Sequence, residues 1–239
     1  MNSGKRINVL PIDAAYIAIT GNIACGKSNL ARHISNFWKF NFYKEPLDHD
    51  VLSRYYADMA TYGFDTQEHF ILSRAERLKK IDVIGGYSVT DFAFGVDSQV
   101  YALFLKQKKL LTRKQHTRLV ELEEGIGRVL PSPDLLIYLR TGVETLKDRI
   151  RTRDRDVEQD LLTPERKDYL PGLEKNHERM FKNHEGKKAI IQTDELALVP
   201  DFNRGSPRPT NLEETLSFIN ECLHREYSGT PFMFVKSYG

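Results

Sequence analysis

Apolar residues follow two rhythms along this chain. Short apolar runs at 16–19, 40–43, 87–90, 134–139 and 189–191 have the length of buried parallel strands. Between them, apolar positions recur every three or four residues. This predicts helices over about 28–38, 67–83, 96–108, 113–130, 143–153, 164–183 and 212–226. The punctuation agrees: Pro46 pushes Glu45 out of helical geometry, Gly85-Gly86 breaks a helix, and Pro131 and Pro133 end another. Strands alternating with helices imply an α/β fold, a five-stranded parallel sheet with helices on both faces. Residues 1–239 read as a single domain with its core at about 14–226. A Pro-, Gly- and Asn-rich loop lies at 198–211, and an apolar tail at 228–239 has no evident packing partner.

Parallel sheets bind ligands beyond the carboxyl ends of their strands. Thr20, Glu45, Asp91, Leu139 and Thr193 fall at or just past those ends. At the first of them stands Gly21-Asn22-Ile23-Ala24-Cys25-Gly26-Lys27-Ser28, a full match to G-x-x-x-x-G-K-[ST] between a predicted strand and a predicted helix. Glycines let the backbone N–H groups turn inward around phosphate oxygens, and the helix N-terminus adds partial positive charge. Lys27 is expected to reach the β and γ phosphates of ATP, and Ser28 to ligate Mg²⁺.

The residues after the other strands address what receives the phosphoryl group. Glu45 follows the second strand, where a carboxylate would accept the proton of an acceptor hydroxyl. Gln67 and Arg74 are two helical turns apart and share a face, and a Gln carries the donor and acceptor that suit a nucleobase edge. Arg149, Arg151, Arg153 and Arg155 alternate rather than lining one helix face, with Glu158 beyond. They read as a helix fraying into an arginine-rich lid that closes over the transferring charge. Taken singly, each has a plainer alternative: a solvated Glu before a turn, a surface Gln and Arg, a face laced with salt bridges.

Composition narrows the partners. With 35 Lys+Arg against 33 Asp+Glu, the net charge of +2 carries no footprint for nucleic acid. No apolar run reaches 18 residues, so no membrane span is expected, and Pro11 and Asp13 interrupt the amino-terminal stretch as a signal peptide. Two cysteines, Cys25 and Cys222, make no disulfide framework and point to a reducing, cytoplasmic compartment.

In this order the pieces resemble the deoxynucleoside kinase family, from about residue 16 to 194. GNIACGKS looks like its phosphate loop and KEP like its Glu-Pro motif. YYAD followed by Gln67 in TQEHFILSR looks like its substrate helix, RIRTRDRDVE like its lid, and YLPGLEKNHERMF like the helix after the lid. The resemblance implies a P-loop kinase fold and transfer of the γ-phosphoryl of ATP to a deoxynucleoside 5′-hydroxyl, with a slight purine preference. It implies Glu45 as general base, Gln67, Arg74 and Asp97 as readers of the base, Tyr56 and Glu158 at the sugar 3′-hydroxyl, and Asp91 near Mg²⁺. It also implies Arg149, Arg153 and Arg155 over the phosphates, and a homodimer through the helices at 96–108 and 113–130. One position departs: the family usually carries Asp/Glu-Arg-Ser after strand three, and this chain has Asp91-Phe92-Ala93. Either Asp91 acts without that arginine, another arginine substitutes, or catalysis is weak. A nucleoside monophosphate kinase and a non-catalytic nucleotide-binding subunit stay open as alternatives.

Overall fold

A computed structural model of the chain describes residues 15–81, 86–152, 156–194, 211–225 and 233–237. The strands are β1 (Ala15–Gly21), β2 (Asn41–Tyr43), β3 (Tyr87–Thr90), β4 (Leu135–Arg140), β5 (Lys188–Gln192) and β6 (Met233–Lys236). They form one parallel sheet in the order β2-β3-β1-β4-β5-β6. Every residue of the central β1 is buried, as expected for a strand covered on both faces.

The sheet thus has six strands, not five. The extra one comes from the apolar tail, which the sequence left without a partner: Val235 registers with Ile190 and Lys236 with Ile191. Without it, β5 would present unpaired backbone groups along an edge. Helix α9 (Leu212–His224) is the crossover between β5 and β6, packing on both.

Helices α1 (Lys27–Trp38), α2 (His49–Ala57), α3 (Met59–Leu78), α4 (Leu103–Gln107), α5 (Arg113–Gly127), α6 (Val143–Arg151), α7 (Asp156–Gln159) and α8 (Tyr169–Asn183) complete the described elements. Neither α2 nor α7 was among the predicted helices, and three others differ from expectation. Helix α3 begins eight residues before Gln67, because the Asp58 carboxylate accepts from Ala60 N and Thr61 N at 3.0 Å; the Asp58 N–H also closes α2 onto the Arg54 carbonyl. The helix predicted at 164–183 is one short 3₁₀ turn, Pro164–Arg166, followed by α8, with a second 3₁₀ turn, Asp160–Leu162, just before it. The helix predicted at 96–108 starts as a wide π-helical segment, Asp97–Ala102, before tightening into α4. Such segments are uncommon and favour functional sites. The expected loop at 198–211 lies outside the described residues except for Asn211, and so do Arg153 and Arg155 of the expected lid.

Candidate active site

The donor side is built by backbone. The turn after β1 runs through Gly21 (φ 143°), Ala24 (φ 62°) and Gly26 (φ 105°), three left-handed positions in six residues. A Cβ on Gly21 would stand 2.7 Å from the Leu139 carbonyl oxygen of the neighbouring strand. Lys27 folds back over the loop, its Nζ donating to the carbonyls of Gly21 and Asn22 at 2.9 Å. No side chain caps the N-terminus of α1, which opens directly from the loop at Gly26. Behind the loop, Asn22 Nδ2 donates to the Leu170 carbonyl (2.9 Å) and to Glu174 Oε2 (3.0 Å), anchoring the turn to α8.

Asp91, just past β3, joins this loop to the acceptor side. Its Oδ2 accepts from Ser28 Oγ, and its Oδ1 accepts from the Glu45 backbone N–H at 2.6 Å. Burial raises the Asp91 pKa, while the Ser28 and Glu45 donors pull it back down. Among the described residues no three His, Cys, Asp or Glu side chains cluster for a metal. Mg²⁺ at a phosphate loop asks for less, one or two protein oxygens beside phosphate and water. Ser28 and Asp91 fit that requirement.

The acceptor side is built by side chains. Arg74, with 4% of its side chain exposed, donates from one guanidinium nitrogen to Asp97 Oδ1 and from the other to Glu45 Oε1. Asp97 is 1% exposed and Glu45 18%. The guanidinium lies over the rings of Phe70 (5.4 Å) and Phe92 (5.9 Å). Burial works against the Arg74 charge, and the pull of Asp97 and Glu45 more than offsets it, so its pKa is raised. Burial raises the pKa of Asp97. Phe92 cannot donate a hydrogen bond, and the guanidinium at Glu45 comes instead from α3.

Of the remaining candidates, Tyr56 stands near this cluster. Gln67 is buried on the same helix as Arg74. Tyr56 is buried in α2, its hydroxyl pushed up by burial and by neighbours that include Tyr101, Glu158 and Glu45. Glu158 is buried in α7, which packs on α2. Arg149 stands elsewhere: its guanidinium donates to the Cys25 carbonyl (3.3 Å), to Thr193 Oγ1 (3.3 Å) and to the Thr193 carbonyl, tying the phosphate loop to the end of β5. Arg151 pairs outward with Asp148.

Several residues escaped the sequence reading. Tyr101, on the π-helical segment, sits close enough to Glu45 for that carboxylate to raise its pKa, after burial. Arg166 donates to the Tyr56 carbonyl and lies over the Tyr56 ring. Glu123 of α5 is buried behind Asp97. None carries a motif, and only three-dimensional proximity singles them out.

A phosphate loop closing the first strand of a parallel sheet, tied through one carboxylate to a buried acidic cluster, defines a P-loop phosphotransferase. The comparisons agree. A family model described as deoxynucleoside kinase matches residues 17–205. A deoxyadenosine kinase of Lactobacillus acidophilus is 29% identical over 213 residues, 85% of this chain and 97% of that one. A deoxyadenosine kinase of Dictyostelium discoideum is 29% identical over 151 residues, 63% of this chain but 61% of that one. Deoxyadenosine kinase from M. mycoides, solved with bound dCTP, superposes with a TM-score of 0.66 over 86% of this chain and 99% of that one, at 23% identity, a likeness of fold. The chain belongs to the deoxynucleoside kinase family, the ATP-dependent phosphotransferases that act on nucleosides.

Proposed function

We propose that the chain moves the γ-phosphoryl of ATP to the 5′-hydroxyl of a deoxynucleoside, purine slightly before pyrimidine, with Mg²⁺ at Ser28 and Asp91. The carrying observation is the Asp91 carboxylate, which holds Ser28 of the phosphate loop and the Glu45 backbone at once. It sets the distance between the donor cradle and the proton acceptor.

In this reading Lys27 exchanges its two carbonyl partners for phosphate oxygens, and the loop amides hold the donor in line. Glu45 takes the proton of the 5′-hydroxyl. Arg74 orients the Glu45 carboxylate, and with Asp97 and Gln67 it reads the base. Tyr56 and Glu158 hold the 3′ side of the sugar. Arg149 keeps the phosphate loop against β5, and with Arg153 and Arg155 covers the charge on the transferring group. The Mg²⁺ ion supplies charge neutralisation at the phosphates when bound.

Local charge favours a nucleoside over a nucleoside monophosphate as acceptor. The guanidinium of Arg74 is already shared between Glu45 and Asp97, so it is not free to hold a phosphate on the acceptor. The helical stretches at 96–108 and 113–130 are the proposed homodimer face. The two buried, free cysteines suit a reducing cytoplasm. Among the described residues no helix is long and apolar enough to cross a membrane.

The test is incubation with labelled ATP and each of the four deoxynucleosides, and separately with their monophosphates. Transfer to at least one deoxynucleoside, faster than to its monophosphate, is expected. Nucleotide binding with no transfer to any acceptor would leave a nucleotide-binding subunit instead.

A further inference from the structure

Glu123 has no part in the chemistry above, yet it is a carboxylate with 2% of its surface exposed, carried by α5. Burying a carboxylate is costly unless donors meet it. Oε1 accepts from the Gly95 backbone N–H and Oε2 from the Ser98 backbone N–H, each at 2.9 Å, and the Ser98 side chain donates as well. These two amides bracket Asp97. The span between them is unusual. Gly95 is left-handed (φ 96°), and the π-helical segment begins at Asp97. A wide helical turn is held less well by its own ladder than an α-helical one. One carboxylate gripping both sides of Asp97 supplies what the local sequence lacks.

The costs point the same way. Burial, and then the Asp97 carboxylate, push the Glu123 pKa up to about 7. A residue kept only for packing would be better as Leu or Met, which bring no charge toward Asp97. What Glu123 alone provides is two coplanar acceptors on one rigid group.

We propose that Glu123 is a positioning residue of the acceptor site: by fixing the amides of Gly95 and Ser98 it sets where Asp97 meets Arg74, and through Arg74 where the Glu45 carboxylate stands. This rests on the reading of Asp97 and Arg74 as the base-reading pair. Glu123 touches no reactant. Its effect is on acceptor recognition, and the donor cradle across the sheet does not depend on it.

The experiment is steady-state kinetics of the full chain and Glu123→Gln, with ATP and the deoxynucleoside that the wild type turns over best. Gln keeps the volume and one acceptor oxygen, and turns an N–H toward the other amide. Losing one of the two amide bonds and turning a donor toward that amide predicts a deoxynucleoside KM raised roughly tenfold or more, with the KM for ATP within about twofold. The Asp97→Asn and double variants close a cycle. Because both substitutions act through one ion pair, Glu123→Gln should add little once Asp97 is Asn. A lowered melting temperature with both KM values unchanged, or fully additive effects, overturns the proposal and leaves Glu123 a stability residue. Should Glu123→Gln not accumulate folded, Glu123→Asp keeps the charge, reaches one amide, and reads the same split. Failure of the kinase reading looks different, as the wild type then transfers nothing. In that case the deoxynucleoside Kd from calorimetry, wild type against Glu123→Gln, still decides the role of Glu123, and an unchanged Kd rejects it.

Discussion

The two sides of this site are held by different means. On the donor side, eight consecutive residues carry the machinery. Main-chain geometry positions it: left-handed glycines, an uncapped helix N-terminus, and a lysine bonded to carbonyls of its own loop. On the acceptor side, the proposed residues Glu45, Tyr56, Gln67, Arg74, Asp97 and Glu158 come from five stretches of chain, and at their centre the buried Arg74 guanidinium joins the buried Asp97 to the partly exposed Glu45. The first arrangement depends on backbone geometry, and the second on charges that pair across segments.

Four variants break or sharpen that contrast. The largest effect is expected from Glu45→Gln, which removes the proposed proton acceptor and leaves the phosphate loop intact. Turnover should fall by about two or more orders of magnitude, with the ATP Kd nearly unchanged. An unchanged rate removes Glu45 from the base role. Next is Arg74→Gln, which leaves the buried Asp97 and the Glu45 carboxylate without their shared guanidinium. Breaking a buried pair on one side costs about 3–5 kcal/mol, read as a lower midpoint in urea unfolding, together with a raised deoxynucleoside KM.

Gly21→Ala probes the opposite side. The added Cβ meets the Leu139 carbonyl at 2.7 Å in a backbone conformation that alanine avoids. ATP affinity should drop by at least about tenfold, while deoxynucleoside affinity, measured by calorimetry without ATP, stays put. Loss of both at once would mean that the two sides are not separately built.

The smallest effect concerns pH. His177 of α8 is 1% exposed, near Thr20 Oγ1 and stacked on Tyr138. Burial first, then the Lys27 and Arg74 charges, bring its pKa down to about 3. The unfolded chain binds a proton at this residue near pH 6.5, so between those values the unfolded state holds more protons. The contribution of His177 is complete above about pH 6.5 and is lost as pH falls toward 3. Replacing it with Phe, which cannot titrate, should flatten the fall in melting temperature between pH 7 and pH 5. Parallel slopes for the two proteins would contradict a neutral, buried imidazole.

The two sides also differed in how much of them could be read in advance. The phosphate loop needs specific residues at fixed spacing along one turn, so it showed in a single string, strand before and helix after. Glu45 and Asp91 were readable because parallel strands put their carboxyl ends on one edge. Other features depended on long-range pairing. The tail gives no hint that it pairs with β5, because register between strands some 45 residues apart is set by the whole sheet. The start of α3 was missed because Asp58 acts as a cap only once the turn after α2 is formed. The arginine that serves Glu45 was sought near position 92, and it comes from Arg74 on α3, packed over the ring of Phe92.

By itself, then, the sequence determined the alternation of the first five strands with helices, the phosphate loop and the edge where the carboxyl ends of those strands lie. These follow from short-range periodicity and from backbone stereochemistry. Only the tertiary structure decided the sixth strand, the Arg74 bridge between Glu45 and Asp97, and the grip of Glu123 on the turn that carries Asp97. Those depend on buried charges finding one another across distant segments, and the energy of such pairs is set by the interior in which they meet.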